Sequence, residues 1–257
     1  MMRLVVVGAG GRMGRAVVET AARDAGFELK AGVDVAARPP WWDDRVPWSQ
    51  DLGSCLSAGD VVVEFSGSQG AVQAGQLCAR RGAALVSGAT GLSSDEERLI
   101  REASSKVAIL RAANFSLGLL ALRRGLRELL IALPGWDVEI VERHHRAKKD
   151  SPSGTALHLA DDVAGLRGLP APSLRHGREG SVGPRPADEI GLHAVRGGTW
   201  AGDHTVLLAG EGEWVELRHV AQDRSAFAHG ALVAAGFVAK APAGFYTLDA
   251  VTTIHPP

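Results

Sequence analysis

The sequence predicts a two-domain protein, in which an α/β domain with a doubly wound parallel sheet is joined to an α+β domain with a mixed sheet. Two observations carry this prediction. In the first 115 residues, short apolar segments alternate with amphipathic helical segments, the pattern of a parallel sheet covered by helices on both faces. After residue 115, a long amphipathic helix and several closely spaced strand patterns follow, and strands connected so tightly form antiparallel or mixed sheets.

Five strands are predicted in the first part of the chain. Residues 4–7 (LVVV) form a continuous apolar run, as expected for a strand that is buried on both faces. The other predicted strands are residues 27–34, 58–67, 82–90 and 106–116. Helices are predicted after the first strand, over 69–81 and over 95–104. The last of these begins at Ser94-Asp-Glu-Glu97, which has the spacing of a capping box. Residues 38–48, with three prolines and three tryptophans, are expected to form a surface loop packed in part through its aromatic rings.

The second part of the chain has a different pattern. In chain order it predicts a helix over 116–133, a strand over 136–145, a helix over 154–166, strands over 190–198, 204–210 and 213–221, and a helix over 224–240. The last two strands are joined by Gly-Glu-Gly as a hairpin. We expect the C-terminal tail to return to the first domain, so that the domains comprise residues 1–115 with 225–257, and residues 116–224.

Composition excludes several classes of protein. The net charge is −1 and the charged fraction is 22%, so no general attraction to nucleic acid or to an anionic membrane is expected. No segment reaches the roughly 20 apolar residues that a membrane helix needs. The two cysteines, Cys55 and Cys78, form neither a disulfide framework nor a metal-binding pair. These features predict a cytoplasmic protein.

A glycine-rich turn follows the first strand. Gly8, Gly11 and Gly14 in GAGGRMG precede a helix, where the lack of Cβ atoms allows a sharp turn and lets a pyrophosphate approach the helix N-terminus. Glycines also serve packing in such turns, but strand, turn, helix and a later acid together favour dinucleotide binding. The acid is Asp34, placed to accept the ribose hydroxyls in a Rossmann-type domain.

Asp34 also bears on the choice of dinucleotide. A carboxylate accepts a hydrogen bond from the 2′-hydroxyl of NADH and repels the 2′-phosphate of NADPH. The next residue is Val35, which cannot offset that repulsion, although Arg12 and Arg38 are near in sequence. We therefore expect NADH to be used at least as well as NADPH.

The segment VERHHRAKKDSPSGTA concentrates histidines and cations before a helix. Metal binding by the adjacent histidines is not expected, because neighbouring strand residues point to opposite faces and no cysteine or HxxxH spacing accompanies them. A solvated loop is the alternative. Ser153, Gly154 and Thr155 at a helix start, with Lys148, instead form a receptor for a carboxylate. A neighbouring histidine can donate a proton near neutral pH.

Together, GAGGRMGR, SGAT, AANFS, VERHHRAKKDSPSGTA, HAVRGG and GDHT resemble the dihydrodipicolinate reductase (4-hydroxy-tetrahydrodipicolinate reductase) family in order and over nearly the whole chain. The resemblance implies a homotetramer with a Rossmann domain completed by the C-terminal end and a second domain for substrate and oligomerisation. It implies reduction by NADH or NADPH of a small cyclic dicarboxylate, 4-hydroxy-tetrahydrodipicolinate or its dehydrated form, in diaminopimelate and lysine biosynthesis.

The resemblance also implies roles for individual residues. His144 would donate the proton, and Lys148 would hold a substrate carboxylate. The substrate site would be completed by His145, Ser153, Gly154 and Thr155. The implied cofactor contacts are Gly8, Gly11, Arg12, Met13, Gly14, Asp34, Gly88, Ala89, Thr90, Ala112, Asn114 and Phe115. The family usually places arginine after the acid of the second strand, and Val35 departs from this pattern.

Two other functions are compatible with such a layout. An amino-acid dehydrogenase, such as an aspartate dehydrogenase, would share the two-domain architecture. A catalytically silent dinucleotide sensor would keep the fold but lose the proton donor or the lysine, and both are present here. Arg196 and His204 match family positions, where a role in a sheet turn and a substrate contact are equally compatible with the sequence.

Overall fold

The computed structural model describes residues 1–169 and 173–253. The chain divides into two compact units, Met1–Ser116 together with the chain from Arg224 onward, and Leu117–Asp223. The fold class predicted from the sequence is confirmed, since the first unit contains a seven-stranded parallel sheet and the second a five-stranded mixed sheet.

The first unit carries its sheet in the strand order β12-β6-β5-β4-β1-β2-β3. Its strands are β1 (Met2–Val7), β2 (Phe27–Val33), β3 (Trp48–Ser49), β4 (Val61–Glu64), β5 (Ala84–Ser87), β6 (Ala108–Arg111) and β12 (Gly244–Tyr246). Its helices are α1 (Arg12–Ala21), α2 (Leu52–Cys55), α3 (Ser68–Arg81), α4 (Ser94–Ala103), α7 (Ser225–Val238) and a 3-10 helix (Leu248–Thr253). The apolar runs of β1 and β4 are buried as expected, because helices cover a doubly wound sheet on both sides.

One local feature differs from the sequence predictions, and another agrees with them. The capping box of α4 is formed by Ser93 and Glu96, not by Ser94 and Glu97. Both pairs have the same spacing, so the sequence pattern alone cannot tell them apart. The tryptophan-rich segment forms turns and irregular chain up to the edge strand β3, as expected for a loop, and it packs through its rings, since Trp42 is 5% exposed against Gly32.

The second unit orders its strands β11-β10-β7-β9-β8. These are β7 (Asp137–His144), β8 (Ser173–Arg175), β9 (Glu189–Arg196), β10 (Gly202–Ala209) and β11 (Trp214–Ala221), with helices α5 (Leu117–Ala132) and α6 (Gly154–Leu166). β7 pairs parallel to β9 and antiparallel to β10, and β10 and β11 form the predicted hairpin. Leucines of α5 and α6 pack with Ile140 and Val206 in one apolar core.

The central strand β7 fixes the position of the chemically important side chains. Its residues alternate strictly in burial, and Val138, Ile140, Glu142 and His144 are buried on one face. Side chains two residues apart on a strand point to the same side. A glutamate and a histidine therefore continue the line of the apolar core up to the end of the strand.

None of the helices in the described part of the chain combines the length and the hydropathy needed to cross a bilayer.

Candidate active site

The glycine turn of the first unit is built for close backbone packing. Gly8 has φ +74°, and a Cβ there would lie 2.8 Å from the carbonyl carbon of Phe65. A Cβ on Gly14 would lie 2.1 Å from the carbonyl oxygen of Gly8. Gly11 is the N-cap of α1, so the first N–H groups of that helix point out of the turn, where an anion is favoured.

Asp34 follows β2 and binds this turn directly. Its Oδ2 accepts from the N–H of Gly10 at 2.9 Å, and its Oδ1 accepts from the N–H of Ala36 at 3.0 Å. A carboxylate oxygen has two lone pairs, so both oxygens can still accept a ribose hydroxyl. These two hydrogen bonds therefore hold the Asp34 carboxylate in place beside the glycine turn.

A cavity of about 540 Å³ opens beside the turn. It lies entirely within the first unit, and its lining includes Gly8, Gly11, Asp34, Ser66, Gln73 and Arg80. It combines the glycine backbone with the acid after β2 and with polar side chains of α3. These groups suit the phosphates and ribose of a dinucleotide.

The predicted cofactor residues after β5 and β6 have different surroundings. The ring of Phe65 lies over Gly88, where a Cβ would be 2.1 Å from the ring. Phe115 is 1% exposed and packs edge-on against Phe65, with ring centroids 5.6 Å apart. Ala89 is buried, and its carbonyl accepts from Arg111 at 3.0 Å. The Phe115 side chain is thus part of the packing that shapes this edge of the sheet.

The remaining predicted contacts of this region differ in exposure. Thr90 is exposed, and Met13, Ala112 and Asn114 are half-buried, whereas Arg12 is exposed at the start of α1. The N–H of Ala112 donates to the carbonyl of Ser87 at 3.2 Å. These residues all lie at or near the carboxyl ends of the parallel strands, the edge at which such sheets bind ligands.

One residue at this edge escaped the sequence analysis. Glu64 ends β4 and is fully buried, and it accepts from the hydroxyls of Ser66 and Ser87 at 2.6 Å each. A carboxylate at the end of an otherwise apolar strand is the signal that could have revealed it. It ties the loops after β4 and β5 together.

In the second unit, His144 is paired with a buried acid. Its Nδ1 lies 2.6 Å from Oε2 of Glu142, and His144 is 8% exposed. The Nε2 atom is on the opposite side of the imidazole ring, next to Gly202, where a Cβ would be 3.3 Å away. Gly202 lies opposite His144 on β10, by extension of the strand register. The imidazole is therefore fixed at one nitrogen and has space at the other.

Glu142 also binds the strand and the helix that flank it. Arg196 at the end of β9 donates from Nη1 and Nη2 to the two carboxylate oxygens, each at 2.7 Å. The N–H of Ser153 donates to Oε1 at 3.0 Å. One buried carboxylate thus connects the histidine, the arginine and the start of α6.

A second buried histidine completes the group. His204 is 4% exposed, and its Nε2 lies 3.2 Å from Oγ of Ser153. Its register partner on β7 is Glu142. The hydroxyl of Ser153 also accepts from the N–H of Ala156 as the N-cap of α6. The side chain of Ser153 is therefore engaged within the protein, whereas Gly154 is exposed at the first position of the helix.

The predicted lysine has an acidic neighbour. Nζ of Lys148 lies 2.8 and 2.9 Å from the carboxylate oxygens of Asp150, which is largely exposed. His145 is half-buried, and its N–H donates to the carbonyl of Trp200 at 2.9 Å. Thr155 is half-buried in the first turn of α6, where helical N–H groups have no intrahelical acceptor.

The protonation of these groups follows from their surroundings. Burial lowers the pKa of His144 below its ordinary value, and although Glu142 raises it, Lys148 and Arg196 lower it further. The pKa of Glu142 is also lowered, because hydrogen bonds from Arg196 and His144 outweigh its burial. Burial lowers the pKa of His204 to about 4, so this imidazole is neutral near pH 7.

The structure brings together His144, Lys148, Ser153 and Gly154 at one end of the second unit, with Arg196 and His204, whose roles the sequence left open. Glu142 was missed. Its position two residues before His144 on an alternating strand was the available signal, because it places a charged side chain on the buried face.

Comparisons with known proteins agree with this picture. The family described as "Dihydrodipicolinate reductase, N-terminus" matches residues 2–115, and "Dihydrodipicolinate reductase, C-terminus" matches residues 118–252. A curated protein of Thermomicrobium roseum, named 4-hydroxy-tetrahydrodipicolinate reductase, is 43% identical over 98% of this chain and 100% of its own. A protein of the same name from Anaeromyxobacter sp. is 38% identical over 96% of both chains.

Comparison of the fold with solved structures also finds a dihydrodipicolinate reductase. The structure of a dipicolinate-bound dihydrodipicolinate reductase from Paenisporosarcina sp. TG-14 has a TM-score of 0.80 and 25% identity, covering 96% of this chain and 97% of its own. A diaminopimelate dehydrogenase from C. glutamicum has a TM-score of 0.57 at 13% identity, covering 99% of this chain and 96% of its own, and shares the fold alone. On these matches, the chain belongs to the dihydrodipicolinate reductase family.

Proposed function

We propose that this protein reduces 4-hydroxy-tetrahydrodipicolinate, or its dehydrated form, to tetrahydrodipicolinate with NADH or NADPH. The observation that carries the proposal is the pairing of His144 with Glu142 at 2.6 Å, beside the N-terminus of α6 and Lys148, in a chain of this family. That arrangement supplies a proton donor next to groups that bind a carboxylate.

The residues of the first unit fit a dinucleotide. A side chain on Gly8 or Gly14 would collide with backbone, so the turn is kept open for close approach, and Asp34 is held beside it by the N–H of Gly10. When bound, the reduced nicotinamide supplies a hydride. We assign the turn to the pyrophosphate and Asp34 to the adenosine ribose.

We assign the binding of the substrate carboxylates to the second unit. The first turn of α6, beginning at Gly154, offers N–H groups and the positive end of the helix dipole, and Lys148 offers a cation. Asp150 forms an ion pair with that lysine at 2.8 Å. Because this pair is largely exposed on the Asp150 side, its strength is modest, so a substrate carboxylate can replace Asp150 at Lys148.

The reduction consumes one proton for each hydride, and the hydroxylated substrate also loses water. His144 supplies the proton from Nε2, since its Nδ1 is engaged by Glu142. The buried Ser153 organises this region through its bonds to Glu142 and His204 rather than by a free hydroxyl. We assign the direct substrate contacts to His145, Gly154 and Thr155.

For the cofactor, we propose that NADH serves at least as well as NADPH. Asp34 presents a carboxylate where a 2′-phosphate would otherwise lie, and Val35 is 90% exposed and uncharged. Arg38, one of two arginines near in sequence, forms an ion pair with Asp44 at 2.7 Å. Position 35, directly after Asp34, therefore offers no cation to a 2′-phosphate.

The test follows the oxidation of NADH or NADPH by the loss of its absorbance. One set of assays contains the product of the upstream synthase reaction as substrate, and a parallel set contains a panel of 2-oxo acids plus ammonia. We expect turnover only with the former. Turnover confined to oxaloacetate plus ammonia would replace the proposal by an aspartate dehydrogenase, and absence of turnover with every compound would favour a sensor.

The roles of the two named residues are tested by His144→Ala and Lys148→Ala. Each should lower kcat by roughly 100-fold or more and leave NADH binding near normal. His158→Ala and Lys149→Ala are matched controls, because both side chains are exposed nearby. Turnover like that of the unmodified protein in both test variants would remove this assignment.

We further propose a homotetramer in the cytoplasm. The support is the resemblance to the family, which implies this assembly, and the exposed face of β11, where Trp214 at 69% and Val220 at 50% exposure could contact another subunit. Light scattering of the purified chain should give four times the mass of 26.9 kDa, and a monomer would contradict the proposal.

A further inference from the structure

Glu142 is the most heavily bonded acid near the proposed proton donor. Its side chain is fully buried, and it accepts hydrogen bonds from His144, from both terminal nitrogens of Arg196 and from the N–H of Ser153. Burying a carboxylate is costly unless it is fully paired. Packing alone therefore does not account for a carboxylate at position 142.

We propose that Glu142 is a positioning residue for the proton transfer, which holds the Nδ1–H of His144 and so makes Nε2 the atom that gives up the proton. This inference deepens the proposed function and rests on it for the catalytic consequence. The tautomer and the titration of His144 are measured on the protein alone, so they do not depend on the proposed function.

The position of the proton between His144 and Glu142 follows from their geometry. A carboxylate can only accept, so at a separation of 2.6 Å the shared proton belongs to Nδ1 of His144. After Nε2 has given up its proton, the neutral imidazole keeps the remaining one toward Glu142. Gly202 lies beside Nε2 with no side chain. The acid selects the tautomer, and the glycine keeps the other nitrogen accessible.

The charges around His144 also give Glu142 a distinct effect on its protonation. The titratable groups facing His144 are Glu142 on its own strand, Arg196 on β9, His204 on β10 and Lys148 in the following turn. Arg196 and Lys148 are cationic and His204 is neutral, so Glu142 alone among these groups favours a protonated His144. Without that carboxylate, burial and two cations would all depress the pKa of His144.

Another acid of β7, Glu139, has similar partners to those of Glu142. Glu139 also accepts from arginines, Arg178 and Arg185, and from a histidine, His193 at 2.7 Å. It lies three residues away, on the opposite face of the strand, and contacts no residue proposed to act on the substrate. Glu139 therefore serves as a control for the loss of a partly buried, arginine-bound carboxylate.

The experiment begins with the unmodified full-length chain and nitrogen-15 NMR of its imidazole rings, the His144 signals being assigned from a His144→Gln spectrum. Neutral His144 should carry its proton on Nδ1. A proton on Nε2 would overturn the proposal, whether or not any variant folds.

The same titration is then made on Glu142→Gln and Glu139→Gln. We expect the pKa of His144 to fall by about 1 unit or more in Glu142→Gln, because an opposite charge in direct contact is lost, and to stay unchanged in Glu139→Gln. Equal shifts in both variants, or none in either, would contradict a specific role for Glu142.

Kinetics supply the functional half of the test. In Glu142→Gln, the alkaline fall of kcat should move to lower pH and kcat should drop by roughly 10-fold or more, with the KM for NADH unchanged. If NMR shows the expected shift while no substrate is turned over by the unmodified protein, the positioning role stands and the proposed reaction fails. If the reaction proceeds and Glu142→Gln keeps its pH profile, the positioning role fails alone.

Discussion

The imidazole of His204 meets that of His144 edge-on, with ring centroids 5.2 Å apart. Both rings lie on the buried face of the mixed sheet, yet their bonding differs. His144 contacts a carboxylate, whereas His204 contacts the hydroxyl of Ser153. Only His144 has an anionic partner for its protonated form, so the pair divides into one ring able to carry a proton and one that stays neutral.

The neutral state of His204 predicts a pH-dependent stability. Its pKa falls from 6.5 in the unfolded chain to about 4 in the folded one, so the unfolded state binds more protons between these values. Stability contributed by His204 is full above pH 6.5 and lost as the pH falls toward 4, a change of about 3 kcal/mol. Urea unfolding at several pH values should show this loss, and His204→Gln should flatten it. An unchanged slope in the variant would assign the loss to other groups.

The same reasoning gives a pH dependence of the reaction. The pKa of His144 is lowered from 6.5 by burial, before the smaller opposing effect of Glu142. A general acid acts only when protonated, so kcat/KM for the dicarboxylate should fall as the pH rises through this lowered pKa. A kcat/KM profile that stays level to alkaline pH would show that another group donates the proton.

Gly202 predicts a steric effect on the proton donor. Replacing Gly202 by Ala places a methyl group 3.3 Å from Nε2 of His144, tighter than most contacts of a Cβ atom, so the ring must give by a few tenths of an ångström. The imidazole must shift, and kcat should fall by roughly 10-fold or more, since small misplacements of reacting groups are costly. Steady-state kinetics and thermal unfolding together test this. Gly165→Ala in α6, with nothing within 4 Å of the added methyl, is the control.

The glycine turn predicts a defect in cofactor binding. In Gly14→Ala the new methyl group would lie 2.1 Å from the carbonyl oxygen of Gly8, and the turn must open. We expect NADH affinity to fall, and unfolding free energy to drop by about 1–3 kcal/mol. Gly236→Ala in α7 has open space at the same substitution and should gain about 0.5–1 kcal/mol. Fluorescence titration and urea unfolding measure both. Normal NADH affinity in Gly14→Ala would show that the glycine turn does not bind the cofactor.

Val35 offers a test of cofactor choice. It is 90% exposed, so Val35→Arg should not disturb the fold and places a guanidinium beside Asp34. The ratio of kcat/KM for NADPH to that for NADH should rise by about 10-fold or more, the effect of one charged hydrogen bond. Val35→Gln controls for side-chain length. A ratio that does not change would show that the 2′-position lies elsewhere.

Much of this protein could be read from its sequence because the signals are local. The apolar run of β1, the glycine turn and the later Asp34 follow one another in the chain, and the helix start at Gly154 is marked by Ser153 as its cap. Strand and helix periods are properties of neighbouring residues. The fold class and the candidate residues of the segment around His144 were therefore accessible without coordinates.

The tertiary structure alone decided which groups meet across strands. Arg196 is 54 residues from Glu142, and sheet register, which no local pattern encodes, brings the two together. His204 is 51 residues from Ser153, and the packing of α6 on the sheet brings this pair together. Long-range pairing also buried His144 and His204, and their burial lowers the pKa of each imidazole. The sequence determined which chemical groups the site contains, whereas their partners and protonation states depend on long-range pairing and burial.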